Sequence, residues 1–306
     1  MKRDGSKNIV ASVQARLVER SRELGVEHQL TLARFGGERL LYRLSQSEFA
    51  DGFILKGAVL LLLWLGEPIR PTKDVDLLGF GDTSADALKR VFVELCAIES
   101  PEDGLTFLPD SVHVEAIREV QEYGGMRVKL MAMLGTVRIP LQVDVGAGDA
   151  VVPPPELLDY PGLLDLPRAR IRAYRPETSI AEKAEAMVRL ALANSRMKDF
   201  FDIHRLAETR TFDGETLRLA VAATFKRRGI EIPGERPIAL TREFAEDARK
   251  KIQWAAFVRR ARRPELADLS AIIATLDRFL WPVLQASAQG EPWPRVWSNG
   301  GSWQKL

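Results

Sequence analysis

The chain has 306 residues, and its 44 Lys and Arg side chains nearly balance its 42 Asp and Glu side chains, giving a net charge of +2. Because 46% of the residues are hydrophobic, a disordered or fibrous chain is excluded and a substantial core is predicted. At about 150 residues per domain, the length suggests two domains.

A single cysteine, Cys96, excludes a disulfide framework within the chain and a zinc site built from several cysteines. Its apolar neighbours predict a core position. The longest hydrophobic run, Ala58 to Leu65, has eight residues, whereas a membrane-spanning helix needs about twenty. We therefore expect a cytoplasmic protein without a membrane partner.

In chain order, apolar residues first recur at three-to-four spacing across residues 1–50, which predicts two or three amphipathic helices. A short apolar stretch at 53–55 then meets Lys56-Gly57 at a predicted strand-to-helix junction. The apolar helix after this junction is predicted to end at Gly66.

The next segments predict a strand at 74–78 and an amphipathic helix at 84–99. Apolar and polar residues then alternate at 112–120, 126–134 and 137–145, which predicts three strands. Short turns separate these strands, so neighbouring antiparallel strands are the simplest arrangement.

Prolines crowd residues 146–176 and predict an extended connection with one strand near 171–174. Beyond it the pattern is almost entirely helical. Ser179 and Glu182 have the spacing of a capping box, which predicts a helix start near Ile180.

These elements predict an N-terminal α/β domain over 1–176, with a helical extension over 1–50, and a C-terminal helical domain over 177–306. The boundary falls in the proline-rich connection, where a linker between domains is expected.

Two carboxylates lie two residues apart in the segment 70–76, Arg-Pro-Thr-Lys-Asp-Val-Asp. On a strand, residues i and i+2 project from the same face, so Asp74 and Asp76 would lie side by side while Val75 faces the core. Such a pair repels unless a cation lies nearby, and Mg²⁺ accepts one or two protein carboxylates while leaving room for substrate phosphates. Alone, the pair fits a solvated strand end better.

A third carboxylate strengthens the metal interpretation. Asp144 interrupts the apolar alternation of 141–145, where an unpaired carboxylate would be costly to bury. Beside Asp74 and Asp76 it would complete a site for two metal ions roughly 3.5–4 Å apart, as used in in-line nucleotidyl displacement. Asp149 is a rival, but its glycine-rich setting favours a turn.

Basic residues precede the carboxylate pair. A helix N-terminus at Lys56-Gly57 would attract phosphate, and Gly57 allows close approach of the backbone. Lys56 would add a point charge, and Arg70 could form a bidentate fork. Taken alone, Gly57 fits an ordinary turn and Arg70 an ordinary surface arginine equally well.

The order of these motifs resembles that of the DNA polymerase beta superfamily of nucleotidyltransferases. The superfamily pattern is Gly-Ser, a spacer, an Asp-x-Asp or Asp-x-Glu pair and a later third Asp. More specifically, the motifs of this chain are similar to those of the AbiEii/AbiGii toxin family. The segments that carry this resemblance, which extends from the N-terminal helices to about residue 260, are Leu55-Lys-Gly-Ala58, 70–76, Gln142-Val-Asp144, Ala181-Glu-Lys183 and Arg196-Met-Lys-Asp-Phe-Phe-Asp202.

The resemblance implies a two-lobed α/β fold with a mixed sheet flanked by helices, a C-terminal helical domain and an active site in the cleft between the lobes. It implies that Asp74, Asp76 and Asp144 bind Mg²⁺, or Mn²⁺ in its place, and that Lys183 joins them as a catalytic residue. The residues implied to bind the nucleotide are Lys56, Gly57, Arg70, Thr72, Arg196, Lys198, Asp199 and Asp202.

Some features depart from the superfamily or have simpler explanations. Ala58 stands where the superfamily pattern has serine, so a hydroxyl contact to the nucleotide is missing, and the spacer to Asp74 is longer than usual. Without the resemblance, Lys183 fits a snorkelling lysine, and 196–202 fits a helix start with ordinary salt bridges.

Charge is unevenly distributed along the chain. Residues 181–263 carry 19 Lys and Arg against 12 Asp and Glu, a net of +7 that leaves −5 elsewhere. The densest basic clusters are 226–228 and 259–263, the second beside Trp254 and Phe257. Such clusters fit a nucleic-acid surface and a solvated helix face equally well.

The expected reaction transfers a nucleoside monophosphate from an NTP to an acceptor hydroxyl. The resemblance implies a toxin of a toxin–antitoxin or phage-defence system, with a cognate antitoxin as partner and the 3′ end of tRNA as acceptor. A protein hydroxyl is the alternative acceptor. A nucleotide-binding module that acts through a partner and a metal-dependent nuclease are the alternatives from other functional classes.

Overall fold

A computed structural model describes residues 3–66, 74–117, 124–261 and 268–305. The chain divides into two compact units. The first unit comprises Met1–Gly148 and Glu156–Ala173, and the second comprises Asp149–Pro155 and Tyr174–Leu306. Each unit contains its own set of fully buried apolar side chains.

The first unit combines helices with a sheet. Its helices are α1 (Arg3–Glu23), α2 (His28–Ser45), α3 (Leu60–Leu65) and α4 (Ala85–Ala97). Its strands are β1 (Phe53–Lys56), β2 (Val75–Gly79), β3 (Leu105–Ala116), β4 (Met126–Leu134), β5 (Val137–Ala147), β6 (Glu156–Asp159) and β7 (Arg170–Ala173).

The seven strands described for this unit form one sheet in the order β3-β4-β5-β2-β1-β7-β6. Strand β2 is central: it pairs antiparallel with β1 on one side and parallel with β5 on the other. Helices α2 and α4 pack on the sheet. The predicted α/β class, with a mixed sheet flanked by helices, is confirmed.

The predicted antiparallel strands are confirmed as β3, β4 and β5. Strand β3 begins earlier than predicted, because its pairing with β4 continues across a register shift between Leu108 and His113. The short edge strand β6 was not predicted. Its residues are mostly exposed, so they lack the apolar alternation that identifies a strand.

Helix α4 shows how the local sequence forms these elements. The Ser84 side chain caps its start by accepting a hydrogen bond from the Ala87 N–H. Leu88, Phe92 and Leu95 recur at helical spacing and are all buried, so one face of the helix joins the core. Cys96 is buried as predicted, and burial raises the pKa of its thiol to about 11.

A buried ion cluster holds α2 against the rest of this unit. Asp103 is fully buried and accepts hydrogen bonds from Arg39 Nε at 2.8 Å and Arg43 Nη1 at 2.7 Å. Arg39 also donates to the Pro167 carbonyl. Because a buried carboxylate without its cations is strongly destabilising, these arginines fix the turn at Asp103 to α2.

The second unit is mainly helical. Its helices are α5 (Pro176–Leu190), α6 (Met197–Thr209), α7 (Gly214–Arg227), α8 (Arg242–Glu246), α9 (Ala248–Ala261) and α10 (Leu269–Gln289). Its strands are β8 (Phe212–Asp213), β9 (Arg295–Trp297) and β10 (Trp303–Lys305), and they form a small sheet in the order β10-β9-β8 that was not predicted.

Helix α5 begins at Pro176 rather than near Ile180 as predicted. Proline at the first helical position has a backbone angle that already suits a helix, and its missing N–H costs nothing there. The prediction from Ser179 was wrong because that residue lies inside the helix, where it is buried.

The C-terminal tryptophans pack into the second unit. Trp297 is fully buried and donates a hydrogen bond to the Ala207 carbonyl at 2.8 Å. Trp303 stacks on Phe279 of α10 at a centroid distance of 5.7 Å. Trp281, on α10, is only partly buried.

No helix within the described ranges combines the length and apolar character that a membrane span would need.

Candidate functional site

The central strand β2 carries the first two carboxylates. Asp74 directly precedes the strand, and Asp76 lies within it. Val75, between them, is 5% exposed and belongs to the core. Since side chains alternate along a strand, Asp74 and Asp76 project from the face opposite Val75.

The parallel pairing of β2 with β5 brings the third carboxylate to the same place. Asp76 is the register partner of Asp144, as Val75 is of Val143. Neighbouring strands are about 4.8 Å apart, so these two carboxylates lie side by side on adjacent strands.

Arg127 of β4, which was not among the predicted site residues, binds Asp144. Its Nε and Nη2 each donate to one carboxylate oxygen of Asp144 at 2.8 Å, a bidentate ion pair. Gln142 Nε2 donates to the same carboxylate at 3.2 Å. Hydrogen bonding to Asp144, together with the negative charges of Asp144, Asp74 and Glu115, raises the pKa of Arg127 above its usual value.

Lys56 and Gly57 lie beside Asp76 on the side away from Asp144, because β1 flanks β2 opposite β5. Lys56 is the register partner of Asp76 across the β1–β2 pair. Gly57 has a φ of +77°, and a Cβ at this position would overlap the Asp76 carboxylate. A glycine is therefore required both by the left-handed backbone and by the close approach of Asp76.

The structure places Gly57 differently from the predicted helix N-terminus. Helix α3 starts only at Leu60, and its N-cap is Val59, so Gly57 lies in the turn that precedes the helix. Two further predicted site residues, Arg70 and Thr72, lie outside the described residues.

The oxygen donors at this site fit a magnesium ion in part. Asp74 and Asp76 offer the one or two carboxylates that Mg²⁺ takes, and the absent Cβ of Gly57 makes room for the Asp76 carboxylate itself. Both oxygens of Asp144 are bound by Arg127. Across the ranges that the structure covers, no three His, Cys, Asp or Glu side chains are grouped to hold a metal ion.

A second cluster of predicted residues lies within the second unit. Lys183 Nζ on α5 donates to Asp199 at 2.8 Å and to Asp202 at 3.0 Å. These aspartates are one turn apart on α6 and share a face of that helix. Their side chains are 1% and 0% exposed, so the ion pairs with Lys183 are shielded from water.

The two remaining predicted residues of this segment differ in position. Arg196 Nε donates to Asp199 at 2.6 Å, so it joins the cluster. Lys198, the neighbour of Asp199 in the chain, is exposed. Burial alone would raise the pKa of Asp199, but the charges of Lys183 and Arg196 outweigh burial and lower the pKa to about 2.

The predicted basic cluster at 226–228 is only partly a surface cluster. Arg228 donates to Glu185, whose side chain is fully buried, and it lies 3.6 Å from Asp149. Glu185 also accepts from Arg189 at 2.7 Å. Asp149, the rival for the third carboxylate, therefore lies beside an arginine of the second unit.

Comparison with known proteins gives one family. The model of the family described as nucleotidyl transferase AbiEii toxin, type IV toxin–antitoxin system, matches residues 39–280. No curated protein matches the chain.

Two crystal structures from Helicobacter pylori resemble the fold. One is JHP933; it is 16% identical, with a TM-score of 0.46, and the match covers 86% of this chain and 94% of that one. The other, provisionally described as a nucleotidyltransferase, has the same identity and TM-score and matches over 86% of this chain and 97% of its own.

The contact between Gly57 and Asp76 can be tested by substitution. We expect Gly57→Ala to lower the free energy of unfolding by more than the about 1–2 kcal/mol that a left-handed backbone costs any L-residue, because the new Cβ must also displace Asp76. Gly81→Ala is the matched control, since Gly81 has the same φ of +77° with nothing within 4 Å of the added Cβ. Equal losses in urea denaturation would contradict the close contact.

The lowered pKa of Asp199 predicts a pH dependence of stability. The carboxylate stabilises the fold fully above its ordinary pKa of 3.8, and this stabilisation is lost as the pH falls toward the folded value of about 2. We expect the difference in unfolding free energy between the wild type and Asp199→Asn to shrink by about 2 kcal/mol over that interval. Urea denaturation at a series of pH values measures it, and a constant difference would contradict the ion pairs.

Proposed function

The chain belongs to the AbiEii nucleotidyltransferase toxins of type IV toxin–antitoxin systems, and we propose that it transfers a nucleoside monophosphate from an NTP to the 3′-terminal hydroxyl of tRNA. The family implies an NTP substrate and an antitoxin partner. The RNA acceptor and the divalent ion are part of the proposal. The observation that supports it most is the pairing of Asp76 with Asp144 beside Gly57.

In the proposed reaction the acceptor oxygen attacks the α-phosphorus of the NTP. The bond from that phosphorus to the oxygen bridging the α- and β-phosphates breaks, and pyrophosphate leaves. Asp144 would share a second metal ion and receives the proton of the acceptor hydroxyl. Asp74 and Asp76 would hold Mg²⁺, or Mn²⁺ in its place, and the ion would supply positive charge to the triphosphate.

The proposal also gives roles to cationic side chains. Lys56 neutralises phosphate charge from the strand that borders Asp76. Arg70 is proposed to do the same and Thr72 to donate a hydrogen bond to a phosphate oxygen; both lie outside the described residues. Lys183 presents an ammonium group fixed by two buried carboxylates, which suits a group that must meet a phosphate in one orientation.

The remaining predicted residues act around Lys183. Asp199 and Asp202 are buried and engaged by Lys183, which supports a role in positioning that lysine rather than direct contact with the nucleotide. Arg196 binds Asp199 but is 37% exposed, so it and the exposed Lys198 are better placed to meet phosphate groups.

Helix α9 favours an RNA acceptor over a protein hydroxyl. Its 14 residues carry five basic and no acidic side chains. Lys250 is buried and donates to the Asn194 carbonyl, whereas the other four are exposed. The exposed basic residues of α9 are Arg249, Lys251, Arg259 and Arg260. Such a face suits the phosphate backbone of a nucleic acid.

The aromatic residues of this segment are not available to bases. Trp254 and Phe257 are 5% and 8% exposed and pack against each other. The predicted arginines 262 and 263 lie outside the described residues. The surface of α9 therefore offers charge without stacking platforms, which suits structured RNA held through its phosphates.

Nucleotide transfer is tested by incubating the protein with each α-labelled NTP, Mg²⁺ and total tRNA, beside a parallel reaction on cell proteins. We expect label in tRNA, and we expect Asp76→Ala to abolish it by removing the carboxylate at the centre of the site. Asp110→Ala, at an exposed position of β3 in the same sheet, is the control that should retain activity. Label only in protein would favour the alternative acceptor, and label in neither pool would sink the enzymatic proposal.

The role of α9 is tested by charge reversal. We expect the double variant Arg259→Glu/Arg260→Glu to weaken tRNA binding by about tenfold or more and to reduce its salt dependence, because fewer counterions are released on binding. Lys89→Glu/Arg90→Glu reverses a matched exposed pair on α4 and should leave affinity nearly unchanged. Fluorescence anisotropy with labelled tRNA across a salt series gives both quantities; equal losses in the two variants would contradict a specific surface.

A further inference from the structure

Arg127 binds Asp144, a carboxylate that the proposed reaction needs. Asp144 accepts two hydrogen bonds from the guanidinium at 2.8 Å and a third from Gln142 at 3.2 Å. A carboxylate has about four lone-pair directions, so most of them are occupied. A divalent ion would have to compete with a bidentate ion pair for the same oxygens.

We propose that Arg127 is the resident counter-cation of Asp144 and keeps it from coordinating a divalent ion until the nucleotide binds. The nucleotide-free protein then takes one divalent ion, on Asp74 and Asp76, and Asp144 becomes available only when Arg127 releases it. This inference rests on the proposed role of those carboxylates and adds a positioning residue to it.

The surroundings of Arg127 allow such a release. Its side chain is 31% exposed and that of Asp144 is 21% exposed, so the pair is not locked inside the core. Arg127 also feels the charges of Asp74 and of Glu115, its register partner on β3. A triphosphate carries more negative charge than either and matches the guanidinium fork, so it competes well for Arg127.

Electrostatic repulsion between neighbouring carboxylates also accounts for the arginine at position 127. Asp144 lies beside Asp76, and like charges on adjacent strands repel. In the absence of nucleotide, Arg127 balances the charge of Asp144 without a metal ion. Removing Arg127 takes away the bidentate partner of Asp144, so a second divalent ion can bind the freed carboxylate and neutralise it.

The test measures Mn²⁺ binding to the full, nucleotide-free chain, with the concentration of free ion read by electron paramagnetic resonance. We expect one bound ion in the wild type and a second in Arg127→Gln, with an affinity at the second site raised about tenfold or more. Arg127→Lys keeps the charge but loses the fork, so an intermediate affinity is expected. Arg138→Gln, an exposed arginine on the same strand as Asp144, is the matched control and should bind as the wild type does.

The double variant Arg127→Gln/Asp144→Asn should return to one bound ion, because the second site needs the freed carboxylate. Circular dichroism and the melting temperature verify that each variant folds, and the milder Arg127→Lys gives a second reading if Arg127→Gln unfolds. Wild-type stoichiometry in Arg127→Gln, or two ions in the wild type with one lost in Asp144→Asn, would overturn the inference. If the wild type transfers nucleotide while either of these contradicting results is obtained, the inference about Arg127 has failed and the proposed function has not.

Discussion

Two carboxylates meet across the parallel pairing of β2 with β5, and the repulsion between them organises the site of the first unit. Each is approached by a cation from the strand on its far side: Lys56 is the register partner of Asp76 across β1–β2, and Arg127 binds Asp144 from β4. The sheet order β4-β5-β2-β1 therefore sets two anions between two cations along one row. Gly57 completes the arrangement, because only a residue without a Cβ lets the backbone lie against Asp76.

In the second unit cations also neutralise carboxylates, but these carboxylates are more deeply buried than Asp144. Asp199 and Asp202 are almost fully buried around Lys183, and Glu185 is fully buried between Arg189 and Arg228. Breaking such buried pairs would leave an uncompensated charge away from water, which costs about 3–5 kcal/mol. The Arg127–Asp144 pair is partly exposed, so its separation costs less. Burial thus distinguishes fixed ion pairs, which hold a side chain in place, from the pair that can exchange its partner.

Short-range periodicity made part of the fold and site predictable from the sequence, whereas contacts that depend on strand pairing were missed. Two-residue spacing was enough to place Asp74 and Asp76 on one face, and alternation was enough to predict β4 and β5. The bond from Arg127 to Asp144 depends on the register between those strands, and a shift of one residue would turn Arg127 to the opposite face. The start of α5 was missed for a local reason, since Pro176 opens the helix before the apparent capping pattern.

The charge balance around Lys183 bears on how the proposed reaction handles a triphosphate. Lys183 and Arg196 together carry two positive charges, which Asp199 and Asp202 already offset. The cluster therefore supplies an oriented donor rather than a surplus of positive charge. Beyond this cluster, the proposal has the charge that develops on the departing pyrophosphate met by Lys56, Arg70, Lys198, a bound ion and any arginine that can leave its carboxylate. Arg127 is such an arginine among the described residues, so its release would make Asp144 available and add positive charge at the same step.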